Sequence, residues 1–211
     1  MGAKTCMLVY ATEDPREVLS RRPEPDRDKS LRLAEQLFPG EKLTPMEDGS
    51  LLWTSPEEGV LCVGCFPGVS VVAAIEFGID YPSQLDKSFI AAGGSGSVYL
   101  HAMHSVVDWF AFACWKDGTL TRSLSLSPDC GILEDIGQKL PFEKPYWDGE
   151  FPAIDPEEEE ELEDAYPFPF QPLELGEAAL LAFFGYQIEG PDVPLSVDAE
   201  KIPLMQFKRS K

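Results

Sequence analysis

Both histidines of the 211-residue chain, His101 and His104, stand three residues apart, and Asp108 follows four residues later, in the run SVYLHAMHSVVDWF. On a helix the three side chains would share one face and could ligate a metal. The aromatic and β-branched composition of Tyr99 to Trp115 is that of a strand, where His104 and Asp108 share a face and His101 points away. A carboxylate beside an imidazole fixes its tautomer and raises its basicity, which makes His104 and Asp108 a candidate general-base pair. His101, Ser105, Arg122 and Ser123 are the candidate ligand contacts around that pair. Arg122 could clamp an anion or a carboxylate. The competing reading is structural, with each histidine bonded to a backbone carbonyl and Arg122 paired with Asp108, Asp135 or another acid. No metal site and no cofactor are expected.

These residues need a scaffold, and the strongest local signal for one is Asp117-Gly118, a two-residue hairpin turn between aromatic-rich and alternating flanks. A regular two-residue turn would pair Trp115 with Leu120, Ala113 with Arg122 and Ala111 with Leu124 on a core face. Cys114 with Thr121, Phe112 with Ser123, Phe110 with Ser125 and Asp108 with Ser127 would form a shallow amphipathic surface opposite. Lys4 to Ala11, Val60 to Phe66 and Val69 to Phe77 read as strands, the last two joined at Pro67-Gly68. Asp26 can cap a helix that Pro39-Gly40 stops, Pro82 to Ala92 reads as another, and Leu173 to Phe184 as a third closed by Gly185. Pro203 to Phe207 reads as an edge strand. The proline-spaced aromatics Pro145-Tyr146-Trp147 and Tyr166-Pro167-Phe168-Pro169-Phe170 cannot pair regularly and are expected to strap the sheet. The expected fold is α+β, one domain over 1–211, built on a mainly antiparallel sheet with a central hairpin at 97–127 and a few packed helices.

Two further motifs read as structure. Cys62 and Cys65 have the spacing of half a zinc site, but no second half exists, and positions three apart on a strand diverge, so both are expected in the core. The glycine-rich Ala91 to Ser97 leaves a helix and enters a strand, the reverse of a phosphate loop, and reads as a plain connection.

A net charge of −20 accompanies 44% apolar residues, so the chain can build a core beneath an acidic surface. Such a surface repels phosphate backbones and anionic lipid, excludes nucleic-acid and membrane partners, and favours a basic protein partner or a small molecule. Asp155, Glu157 to Glu161, Glu163 and Asp164 concentrate eight carboxylates within 152–168, expected to be a mobile acidic loop. The start of the chain lacks the long apolar core of a secretory signal, Pro67-Gly68 interrupts the one long apolar stretch, and five irregularly spaced cysteines fit reduced thiols, which together imply a cytoplasmic protein.

The segments CFPGVSVV, YLHAMHSVVDWFAFACW, DGTLTRSLSLSPDCGILEDIG, LPFEKPYWDGE and YPFPFQPLELGEAALLAFFGY occur in that order. Together they resemble a bacterial family, found largely in actinomycetes, that is catalogued as a domain of unknown function. The resemblance implies a single-domain cytosolic protein and transfers no catalytic residue. Two functional readings stay open: a non-enzymatic binding or interaction protein with an acidic surface, and a transferase or hydrolase with His104 as general base oriented by Asp108. The oligomeric state is not legible.

Overall fold

A computed structural model of the chain describes residues 2–153, 166–191 and 193–211. Of the stretch 152–168, read as a mobile acidic loop, only the ends are described, and the acidic run 155–164 lies outside the described residues. Ten strands form one antiparallel sheet: β1 Lys4–Ala11, β2 Lys42–Pro45, β3 Gly49–Ser50, β4 Val60–Phe66, β5 Val69–Ala73, β6 Ser97–His104, β7 Trp109–Lys116, β8 Thr119–Ser127, β9 Gly131–Gly137 and β10 Pro203–Ser210. The order across the sheet is β2-β10-β4-β5-β1-β6-β7-β8-β9, with β3 also pairing β10. The fold is α+β. Strand β10 is not the edge strand its sequence suggested; it is flanked by β2 and β4.

Both faces of the sheet are covered, which explains the near-continuous apolar strands. Helices α1 Pro15–Ser20 and α5 Pro172–Phe184, the short α4 Lys144–Trp147 and the Phe168–Phe170 segment cover one face; α2 Arg27–Leu37 and α3 Lys87–Ala91 cover the other. Asp26 caps α2 as expected, accepting from the Lys29 N–H, and Gly185 closes α5 in the left-handed conformation. The predicted helix over 82–92 is instead a single 3₁₀ turn at Pro82–Gln84 followed by the short α3. Cys62 and Cys65 lie on opposite faces of β4, each in core, and burial pushes the Cys62 thiol up to about 12. Among the described residues no helix is long and apolar enough to cross a membrane.

The central hairpin departs from its predicted register. The Asp117-Gly118 turn is present, with φ of 47° and 75°, and Trp115 faces Leu120 as expected. Beyond that pair Thr121 is bulged, its hydroxyl donating to the Cys114 carbonyl at 2.9 Å. Every later pair slips by one: Arg122 faces Cys114, Ser123 faces Ala113, Leu124 faces Phe112 and Leu126 faces Phe110. The slip stacks leucines on the phenylalanines and serines on the alanines. The face expected to be an amphipathic surface is therefore core beneath α5, with Phe110 and Phe112 fully buried.

A second tight turn breaks the predicted strand through His104 and Asp108. His104 ends β6, Trp109 begins β7 opposite it, and Asp108 sits in the turn at φ 46°, a conformation aspartate tolerates better than most residues. The shared strand face that was to join His104 to Asp108 does not exist.

Candidate functional site

The structure places the residues singled out by type and spacing in four separate environments. His101 is fully buried between β6 and α5. Its Nε2 lies 2.9 Å from the Gly176 carbonyl, which can only accept, so Nε2 carries the proton and Nδ1 accepts from the Thr5 hydroxyl at 2.7 Å. Gly176 permits that approach, since a Cβ there would lie 3.1 Å from both Met103 and Phe110. Burial holds the His101 pKa down at about 4, so it is a neutral structural strut.

Arg122 and Ser123 are equally internal. The Arg122 guanidinium forms a bidentate pair with Glu143, through Nε at 2.9 Å and Nη2 at 2.6 Å, and its Nη1 reaches Asp135 and the Ile136 carbonyl. Arg122 and Glu143 are both fully buried, so the proposed anion clamp is occupied by the chain's own acid. Ser123 donates to Glu134, which also takes the hydroxyl and amide of Ser83. These contacts fasten the Leu140–Trp147 strap and the Pro82–Gln84 turn to the hairpin.

No hydrogen bond joins His104 to Asp108 among the described residues. Asp108 accepts instead from the Tyr166 hydroxyl at 2.6 Å, while its second oxygen is buried without a partner. Ser105 lies in the same turn, its amide donating to the Ala3 carbonyl. His104 faces Lys4 across one pairing and Trp109 across the other, and lines a mostly apolar cavity of about 450 Å³. Its pKa is lowered by partial burial and by the Lys4 charge.

A second cavity, of about 530 Å³, lies along the N-terminal half of α5 and is lined by Glu174, Glu177 and Glu189 with Tyr146, Phe151 and Leu173. Glu177 projects from the apolar face of α5 and is 4% exposed. Its carboxylate accepts the backbone N–H groups of Ile188 and Glu189 at 2.8 and 2.9 Å, which fixes its orientation. Burial nevertheless pushes Glu177 up to about 7, aided by the neighbouring Glu189 charge and opposed by those two bonds. Glu174 is also raised, by burial and then by Asp108. Tyr146 and Phe151 pair with ring centroids 4.7 Å apart, and Phe170 supports Tyr146 edge-on. No lysine, arginine or histidine lines this cavity among the described residues. The wall is thus aromatic and carboxylate, a combination suited to a cation.

A family model described as a family of unknown function, DUF6928, matches residues 5–207. The chain belongs to that family. Neither the curated proteins nor the solved structures include a match to it. No residue role comes to the DUF6928 chain from a relative, and its chemistry rests on its own geometry.

Neither Glu177 nor Phe151 stands out from the sequence as a candidate by type and spacing, and Tyr146 reads there only as part of a strap over the sheet. A legible signal existed: Leu173, Glu177, Leu180 and Phe184 follow i, i+4, i+7, i+11 spacing, so the glutamate interrupts the buried stripe. Among the described residues no group of three or more histidine, cysteine or acidic side chains is arranged to hold a metal ion.

Proposed function

We propose that this protein is a non-catalytic binding protein of the bacterial cytoplasm that accepts a cationic group, the lysine side chain of a basic protein partner, in the cavity along α5. The observation that carries this reading is a buried, oriented carboxylate, Glu177, that lines one cavity together with an aromatic pair and no base among the described lining residues. An ammonium there would replace the proton that burial otherwise favours on Glu177, and the rings of Tyr146 and Phe151 would supply cation–π contact. The net charge of −20 draws basic partners toward the molecule. The bacterial setting rests on the sequence resemblance, and the cytoplasmic setting also on the cysteine usage. A transferase or hydrolase with His104 as base would require Asp108 to leave Tyr166 and turn toward the imidazole.

Titration with N-acetyl-lysine methylamide, followed by amide NMR at pH 7.5 and low salt, tests the reading. Its uncharged counterpart, N-acetyl-norleucine methylamide, should bind at least about tenfold more weakly, and Glu177→Gln should weaken the lysine probe by about the same factor. Because the proton competes with the ammonium on Glu177, affinity for lysine should fall by about tenfold per pH unit below pH 7. Equal binding of the two probes, or binding indifferent to Glu177, would overturn the assignment.

A further inference from the structure

The cavity beside His104 is separate from the cation site and has a different chemistry. At about 450 Å³ it falls within the size range of small-molecule pockets. Ile75 and Val107, each about half exposed at 49% and 50%, stand at its margin, and Trp109 forms a wall. The indole is held from behind by a hydrogen bond from its Nε1 to Ser125 Oγ at 3.3 Å. These surfaces offer apolar contact.

His104 supplies the polar group. Its Nδ1 is enclosed and has no hydrogen-bond partner. A buried N–H without an acceptor costs more than a bare ring nitrogen without a donor, so the neutral ring places its proton on Nε2. Burial and the Lys4 charge lower the His104 pKa, against a smaller raising contribution from its own backbone carbonyl, and so favour the neutral ring. Nε2 is neither enclosed nor bonded within the described residues, and the ring lines the cavity, which leaves one N–H donor presented to an occupant. Asp80 and Asp129, on the same lining, disfavour an anion, and the thiol of Cys6, pushed up by burial, adds no charge at neutral pH. Both aspartates are exposed and solvated, so they draw a cation only weakly, and a cation seated at the ring would meet the His104 N–H dipole head-on.

We propose that this cavity binds a small, uncharged, largely apolar molecule bearing one hydrogen-bond acceptor, with the acceptor on His104 Nε2–H and the apolar body against Trp109. The inference does not depend on the cation site.

Acetophenone and ethylbenzene share an apolar body and differ in the carbonyl, and benzoate adds the charge. With the protein labelled at histidine nitrogens, long-range ¹H–¹⁵N spectra should show the His104 proton on Nε2 before any ligand is added. Acetophenone should then shift that Nε2 signal and perturb Trp109 fluorescence, with ethylbenzene about tenfold weaker and benzoate without effect. In His104→Phe the preference for acetophenone over ethylbenzene should vanish while binding of ethylbenzene persists. The proposal fails if the wild-type proton resides on Nδ1, if acetophenone leaves His104 unmoved up to its solubility limit, or if both neutral probes bind equally. The tautomer and the two neutral titrations are read on the wild-type protein, so the test stands even where the variant does not fold.

Discussion

Replacing Glu143 with leucine should lower the unfolding free energy by about 3–5 kcal/mol, because it leaves the Arg122 charge buried with its bidentate partner gone. Both side chains are fully buried, and Glu143 also receives the Leu140 amide at 2.7 Å, so the substitution orphans a guanidinium edge and a backbone donor together. The remaining carboxylate, Asp135, has a side chain 37% exposed and engages only Nη1. Urea unfolding should show a lowered midpoint with an unchanged slope. The double variant Arg122→Met with Glu143→Leu removes both charges and fills the space with apolar atoms, and should return to within about 2 kcal/mol of wild type. A double variant as unstable as Glu143→Leu alone would mean that the strap is held by shape and backbone bonds rather than by pairing of the charges. A Glu143→Leu variant of wild-type stability would mean that the ion pair does not hold the strap at all.

The same arginine shows why the hairpin was only partly legible. Asp117-Gly118 announces its turn, since both positions require positive φ, and the first pair follows from it. Alternation then normally chooses the register, but it does so only where one face is wet. Here both faces are buried: Phe110 and Phe112 contribute to one cluster, Ala113 and Trp115 to the other. Neither parity is penalised by exposure. The outcome depends on matching large side chains to available space, which is a property of α5 and the strap and not of the strand itself. Thr121 absorbs the slip, and nothing in TLTRSLSLS marks it as the residue that does so. The turn between β6 and β7 was hidden for a related reason, because Ser105 to Asp108 contains no glycine or proline and aspartate takes the positive φ. By contrast, the opposite placement of Cys62 and Cys65 followed from the two-residue period of a strand alone, which sends their side chains into different cores.

That loss of alternation also reassigns the polar residues. Histidine, arginine and serine on a half-exposed hairpin would converge as a site; on a hairpin covered on both sides each must find an internal partner or carry an unsatisfied group. His101, Arg122 and Ser123 did find partners, and so became struts. His104, at the end of its strand, is left with one enclosed nitrogen unpartnered and an open flank, which is why it alone among them borders a cavity.

His101 and Glu177 should produce opposing pH dependences of stability that become visible only when one of them is removed. His101 is neutral in the fold, with its pKa held at about 4, whereas the unfolded residue takes a proton near 6.5. Its contribution is therefore fully present above pH 6.5 and is lost as pH falls toward 4, by about 3 kcal/mol. Glu177 has the reverse sign. Its folded pKa of about 7 exceeds the unfolded value near 4.5, so the fold holds its proton more tightly, and that stability is present below pH 4.5 and lost as pH rises toward 7, by about 3 kcal/mol. Between pH 4.5 and 6.5 the two nearly cancel. Asp14 and Glu76, whose pKa values are lowered by Arg16 and Arg209 against the desolvation of their own burial, contribute stability that is lost mainly below that interval. Relative to wild type, Glu177→Gln should lose about 3 kcal/mol on acidification from pH 7 to 4.5, since the compensating carboxyl is gone. His101→Gln should gain relative stability on acidification from pH 6.5 to 4, whatever its absolute loss from the altered bonds to Thr5 and Gly176. Chemical denaturation at half-unit pH steps, plotted as variant minus wild type, isolates each group because all other titrations subtract out. Two difference curves of opposite slope would establish the pair, whereas a flat curve for His101→Gln would mean that the imidazole is protonated in the fold, with Thr5 and Gly176 both accepting from it.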